Sequence, residues 1–319
     1  MKDKVIFIIP YFGNFNNYFQ LFLNSCATNP DFSWLIITDN NDKYDFPRNV
    51  LVKRMSFSQL KEIINERLNA NVSINDPYKL CDLRPMYGEI FHDFISKFDW
   101  WGYCDIDLIF GKLNHFLTDD LLNNYDKIGV LGHCTLMKNT KSVNSAFRLP
   151  LNGKYVYKNI ISSSNNFSFD EEHNDSINNI MENNGFKILN QNVEANPYTK
   201  SSVFRLNHLN SDWTYSIEKP SKSVFIWENG ILKRFVVVDG KLISKEYLYI
   251  HFQSRKMKNL VSNFNRYKIV PNQFEDLEVG KIDINNFPKY KYLNMHYFRL
   301  RFHNLLDKIK NYMTRSRIK

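Results

Sequence analysis

The chain has no apolar run that approaches the roughly 18 consecutive residues a membrane-spanning helix needs. Its four cysteines, Cys26, Cys81, Cys104 and Cys134, are scattered and form no C-x-x-C pair. That spacing indicates neither a zinc site nor a disulfide framework, and points to a reducing cytoplasm. There is no internal repeat. The body also lacks an excess of charge of either sign. Of the net +9, +8 lies in residues 289–319, which hold nine basic residues and a single acid, Asp307, so residues 1–288 carry only +1. A body that binds nucleic acid would carry a basic face of its own, so nucleic acid is not expected as a partner.

What is present is a folded globular chain of 319 residues, 43% hydrophobic and 15% aromatic. Met1–Lys4 and the apolar run Val5–Pro10 could pass for a leader. The run is short, however, and polar Asn14, Asn16 and Asn17 follow with no small-residue cleavage site. It reads as a buried first strand. Strand and helix signals then alternate: a helix over 15–26, strands at 34–38 and 50–55, a helix from an N-cap at Ser56 to about Leu68, and a helix over 83–98. A strand over 100–104, strand pieces at 128–131 and 135–137, and a helix opened by Phe169–Glu172 and running to about Asn184 come next. Strands at 224–227, 231–238 and 242–250 form a β-meander, turned by Asn229-Gly230 and Asp239-Gly240. The alternation predicts a mainly parallel sheet flanked by helices. Such sheets bind ligands beyond the carboxyl ends of their strands. Pro10–Gly13, Thr38–Asn40 and Asp105–Asp107 all stand at such ends.

Asp105-Ile106-Asp107 is the pair with chemistry in it. Carboxylates at i and i+2 can converge on a divalent cation through hard oxygen ligands. The alternative is a pair of loop or capping acids on a solvated edge. The context narrows this. Tyr78-Lys79-Leu80-Cys81-Asp82-Leu83-Arg84, then a helix, then Trp101-Gly102-Tyr103-Cys104-Asp105-Ile106-Asp107-Leu108-Ile109-Phe110-Gly111, resembles the core of GT-A glycosyltransferases with a DXD motif. Together with Arg84-Pro85-Met86-Tyr87-Gly88, it resembles more narrowly a bacterial family of little-characterised glycosyltransferases. The likeness covers about residues 5–140 and resumes near 169–173 and 251.

The resemblance implies a GT-A-like, Rossmann-like α/β fold. It implies a nucleotide-diphospho-sugar donor, UDP-linked, and a Mn2+ or Mg2+ cofactor. Asp107 would ligate the metal, with Asp105 near both ribose and metal. Asp82 and Arg84 would approach the donor sugar or diphosphate; Asp82 could equally cap its helix, and Arg84 could pair with Glu89 or Asp93. Tyr11 and Asp39 would hold the nucleoside, or else pack the strand end and cap a turn. His251 would be the third metal ligand, with Lys256 of the adjoining Arg255, Lys256 and Lys258 on the diphosphate, or else a partly buried histidine beside a solvated basic run. Glu171, or Asp170, at a helix start would serve as general base on the acceptor, although acids there also favour the helix dipole.

The expected division is a catalytic domain over 1–258, with a nucleotide-sugar half over 1–140 and an acceptor half over 141–258, and an extension over 259–319. In that extension Phe298, Phe302, Leu305, Ile309 and Tyr312 fall at helical spacing among basic residues. This fits an amphipathic helix on an anionic membrane surface, on the inner face of the plasma membrane, and an acceptor glycan that is lipid-linked. A terminal helix packed on the body or an oligomer contact would give the same pattern. Two other readings remain. One is a sugar-phosphate nucleotidyltransferase, for which Phe12-Gly13-Asn14 is a poor phosphate loop. The other is a non-catalytic peripheral membrane or nucleic-acid-binding protein.

Overall fold

The computed structural model describes residues 4–171, 174–198 and 201–293, and in the tail 295, 298, 299, 302, 305 and 306. The chain divides into two compact units, Met1–Leu108 with Leu113–Gln191, and Ile109–Lys112 with Asn192–Lys319.

The first unit is mixed α/β on a seven-stranded, mostly parallel sheet. Its first strands are β1 (Val5–Pro10), β2 (Phe32–Thr38), β3 (Val50–Arg54) and β4 (Trp100–Cys104). The order across the sheet is β3, β2, β1, β4, Cys134–Lys138, Lys127–Ile128, Ile188–Leu189. The pairs from β3 to β4 are parallel, and Cys134–Lys138 runs antiparallel to both its neighbours. β1 is apolar throughout because both its faces are covered. Ile6 and Ile8 join Leu35, Ile37, Trp101 and Tyr103 in one core cluster, while Phe7 stacks on Trp34 at 5.6 Å. That cluster also holds Leu60, Ile64 and Leu68 from helix α2 (Phe57–Leu68; helix α1 is Phe19–Ala27). α2 starts as its sequence predicts. Ser56 accepts from Gln59 N, and the Gln59 side chain accepts from Ser56 N, a capping box that contributes about 1 kcal/mol. β4 lies close to Cys134–Lys138 because position 102 is glycine: a Cβ there would stand 2.3 Å from the Thr135 carbonyl oxygen.

Three expectations are corrected here. The helix over 83–98 is a chain of short pieces, Arg84–Met86, Tyr87–Ile90 and His92–Ile95. Pro85 lacks an N–H, and its ring favours a tight turn over a continuous ladder. The strand over 128–131 shrinks to Lys127–Ile128. The helix expected from 169 begins only at Ile177.

In the second unit the meander forms as read, with strands Lys222–Glu228, Ile231–Val238 and Lys241–Glu246. Asn229-Gly230 and Asp239-Gly240 turn it, all four residues with positive φ (48°, 88°, 48°, 70°), as two-residue hairpins require. The sheet continues through Arg266–Val270, Gln273–Asp276 and Lys258–Leu260, three strands that the sequence did not announce. The strand expected over 242–250 breaks after Glu246. Tyr249–His251 leaves this sheet and pairs with Leu108–Phe110. The Phe110 carbonyl accepts from Trp227 Nε1 at 2.8 Å, and Gly111 N donates to the Leu248 carbonyl at 2.8 Å.

Candidate active site

Tyr11 directly follows β1, Asp39 directly follows β2, and Asp105 directly follows β4, with Asp107 two residues on. These strands are neighbours and parallel, so the residues line one edge of the sheet. Tyr11 donates its hydroxyl to the Asn14 carbonyl and stacks on Phe15 at 5.3 Å. Burial, then the charges of Asp107 and Asp105, raise its phenol pKa. Asp39 is exposed, and one of its oxygens accepts from Gly13 N at 3.0 Å, which ties the loop after β1 to the end of β2. Asp107 is nearly buried, at 6% exposure.

Arg84 is the electrostatic centre. Its guanidinium pairs with Asp105, donates to Asp170 Oδ2 at 2.9 Å, and donates to the Gly132 carbonyl at 2.8 Å. Neither Glu89 nor Asp93 is its partner, since Glu89 pairs with Arg148 and Asp93 with Arg67. Burial alone would lower the Arg84 pKa, but the charges around it, Asp105 foremost, hold it well above its ordinary value. Burial raises the Asp170 carboxyl, with Arg84 opposing. Asp170 and Glu171 lie in a turn seven and six residues ahead of their helix. The dipole account of these acids therefore fails; Arg84 and a loop amide hold them instead.

That loop is Gly129–His133, and five successive carbonyls in it accept hydrogen bonds from residues outside the loop. Lys127 Nζ takes Gly129 O, Asn178 Nδ2 takes Val130 O, and Thr135 Oγ1 takes Leu131 O. Arg84 takes Gly132 O, and Asp105 N takes His133 O at 3.0 Å. Glu171 Oε2 accepts from Gly132 N at 3.0 Å. A Cβ on Gly132 would stand 2.5 Å from Asp170 Oδ2 and 2.7 Å from Glu171 Oε1, so the acids can close on the loop only over a glycine. Asn178 Nδ2 also donates to the Glu171 carbonyl, which joins the loop to the acid turn. Lys127 and Asn178 are fully buried. Burial pushes the Lys127 ammonium down to about 7. Neither residue stands out in the sequence from an ordinary surface side chain.

Asp82 is 2% exposed, and its oxygens accept from Phe167 N and Phe169 N and pair with Lys79 Nζ at 2.9 Å. It caps no N–H of its own short helix, Leu80–Leu83; it pins the segment that leads into Asp170. Ser168, between the two pinned residues, has φ 53°, a strained value for a serine. The strain turns Phe169 into the core and Phe167 outward.

In the second unit His251 is 8% exposed, ends its strand, and donates its N–H to the Ala195 carbonyl. Arg255 is buried with its guanidinium on the Tyr198 carbonyl, and Lys256 is exposed. In the tail Phe298, Phe302 and Leu305 are helical and exposed, while Ile309 and Tyr312 lie outside the described residues.

No curated protein matches the chain. Among solved structures, the glycosyltransferase GlyE of Streptococcus pneumoniae TIGR4 is similar, in its apo form and in a second crystal structure. For each, identity is 15% and the TM-score 0.29, over 59% of this chain and 45% of that one. The chain therefore spans under half the length of those structures, and a superposition that loose decides neither fold nor activity. The family whose pattern does match, over residues 7–278, is described as a family of unknown function, DUF6625, and the chain belongs to it.

Proposed function

We propose that the chain is a metal-dependent glycosyltransferase. It would move a sugar from a nucleotide-diphospho-sugar, UDP-linked, to a hydroxyl of a glycan or lipid-linked glycan. One observation carries the reading: Tyr11, Asp39 and the Asp105–Asp107 pair stand past the carboxyl ends of three adjacent parallel strands, where an open α/β sheet takes its ligand.

Tyr11 and Asp39 hold the nucleoside. Asp105 and Asp107 would supply two hard carboxylates to a metal ion and His251 an imidazole, a donor set that suits Mn2+, with Mg2+ the alternative. Chain connectivity supports the histidine: the strand that begins one residue after Asp107 pairs with the strand that ends in His251. A cation held there would supply positive charge to the departing diphosphate. Arg84 orients Asp105 and adds positive charge beside it, and Lys256 adds a second positive charge. Glu171 accepts the proton of the acceptor hydroxyl; Asp170, locked to Arg84, holds the turn. Asp82 acts on this side of the reaction by fixing the segment ahead of that turn. Residues 289–319 bring the protein to an anionic membrane surface on the cytoplasmic side, where a lipid-linked acceptor would lie.

The test is a thermal-shift screen of UDP-sugars with and without Mn2+, followed by assay of free UDP. A ligand that binds only the folded state raises the melting temperature. The expected result is a shift that needs both UDP-sugar and Mn2+ and vanishes in Asp107→Asn. Turnover that persists after EDTA, or in Asp107→Asn, would end the metal-dependent reading.

A further inference from the structure

Cys104 and Cys134 are direct partners in the register between β4 and Cys134–Lys138. The adjacent pair is hydrogen-bonded, with Asp105 N donating to the His133 carbonyl. In an antiparallel ladder hydrogen-bonded and non-hydrogen-bonded pairs alternate, so Cys104 and Cys134 occupy a non-hydrogen-bonded pair. At such pairs the Cα atoms approach to about 4.5 Å and the side chains lie closer than elsewhere in the ladder. That falls inside the roughly 4.4–6.8 Å span that a disulfide bridges. Neither cysteine is in a disulfide, and Cys104 is 2% exposed and Cys134 half-buried. Neither the position of the pair in the fold nor its chemistry is used in the reading proposed above.

We propose that Cys104 and Cys134 form a reversible cross-strand disulfide, a redox site at the base of Asp105 and of the Gly129–His133 loop. The oxidant is a low-molecular-weight disulfide. The more accessible thiol, Cys134, attacks it, forming a mixed disulfide and releasing one small thiol. The Cys104 thiol then attacks the Cys134 sulfur, forms the intramolecular bond and releases the second small thiol. Two protein thiols are oxidised, one small disulfide is reduced to two thiols, and the protons pass to those thiols. Any reduced dithiol reverses it. A bond at this place clamps the end of β4 to the start of its neighbour, with Asp105 one residue from one sulfur and His133 one residue from the other. The loop's anchors then move as one body.

The experiment treats the full-length protein with oxidised glutathione and maps its peptides by mass spectrometry. The expected product is a Cys104–Cys134 cross-link that has lost two hydrogens, disappears with dithiothreitol, and fails to form in Cys134→Ser. In Cys81→Ser it should form unchanged. Because the bond closes the chain between residues 104 and 134, the oxidised protein should melt several degrees higher. Glutathione retained on Cys134 without resolution, a Cys26–Cys104 linkage, or four unmodified thiols would each overturn the proposal. None of these readouts depends on the chain being a glycosyltransferase.

Discussion

Replacing Lys127 by methionine should change how stability depends on pH. Lys127 Nζ has two acceptors, Gly129 O and Asn178 Oδ1, the latter at 2.7 Å, and no carboxylate bonded to it among the described residues. A neutral amine has two N–H donors, so it matches this pocket, whereas an ammonium would bury a third donor and a full charge. The charged groups that oppose its neutralisation are Asp170 and Glu171 from the turn and Glu182 from the helix. Burial outweighs them and holds the folded pKa near 7, against about 10.4 for an ordinary lysine. The sign follows from proton counts. Between these two values the unfolded chain binds a proton that the folded chain has released, so stability rises with pH, by up to about 1.4 kcal/mol per unit. Below pH 7 both states are protonated, and this contribution is absent. Methionine, similar in length and uncharged, removes the dependence along with the two hydrogen bonds. Urea unfolding of both proteins at pH 6, 7, 8 and 9 gives the difference directly, and all unrelated titrations cancel in it. The advantage of the variant over wild type should shrink by roughly 2 kcal/mol between pH 7 and pH 8.5. A difference that stays flat across that range would mean that the lysine keeps its proton when folded, and the matched-amine argument would be wrong.

Other outcomes follow from the same contacts. Asp82→Asn leaves Lys79 charged and buried without its counter-ion, and should lower stability by about 3–5 kcal/mol in thermal melts; adding Lys79→Met should recover part of that loss. Gly132→Ala should push Asp170 and Glu171 off the loop at a cost of about 1–3 kcal/mol, with a larger proportional loss of sugar transfer than of UDP binding. Gly230→Ala, in a hairpin turn at φ 88°, should cost about 1–2 kcal/mol of stability by melting while leaving UDP–Mn2+ binding unchanged, which makes it a control for destabilisation alone.

Features with a local cause could be read from the sequence. The apolar run Val5–Pro10, the Ser56–Gln59 cap and the Asn-Gly and Asp-Gly turns each carry their reason within a few residues. So does the acid pair after β4, because a strand end is where such pairs gain a use. Features with a distant cause could not be read. The start of the helix at Ile177 depends on Asp170 and Glu171 being drawn away by Arg84 and Gly132, residues about 86 and 39 positions earlier. The strands over 258–276 are short and partly polar, and they become strands only because an edge of the meander is there to pair with. Lys127 looked like any surface lysine, since its acceptors, a loop carbonyl and a helix asparagine, exist only after folding.

The manner in which Gly129–His133 is held bears on what the chain can tolerate as it diverges. A segment clamped through its peptide oxygens is largely indifferent to its own side chains, so substitutions at Val130 or Leu131 that keep the bulk should pass selection easily. Apart from Gly132, where a Cβ would meet Asp170 and Glu171, the intolerant positions are elsewhere: at Arg84, Lys127, Thr135 and Asn178, scattered over some 95 residues of gene. Descent should therefore leave its mark on the clamps and on Gly132 rather than on the rest of the segment they hold.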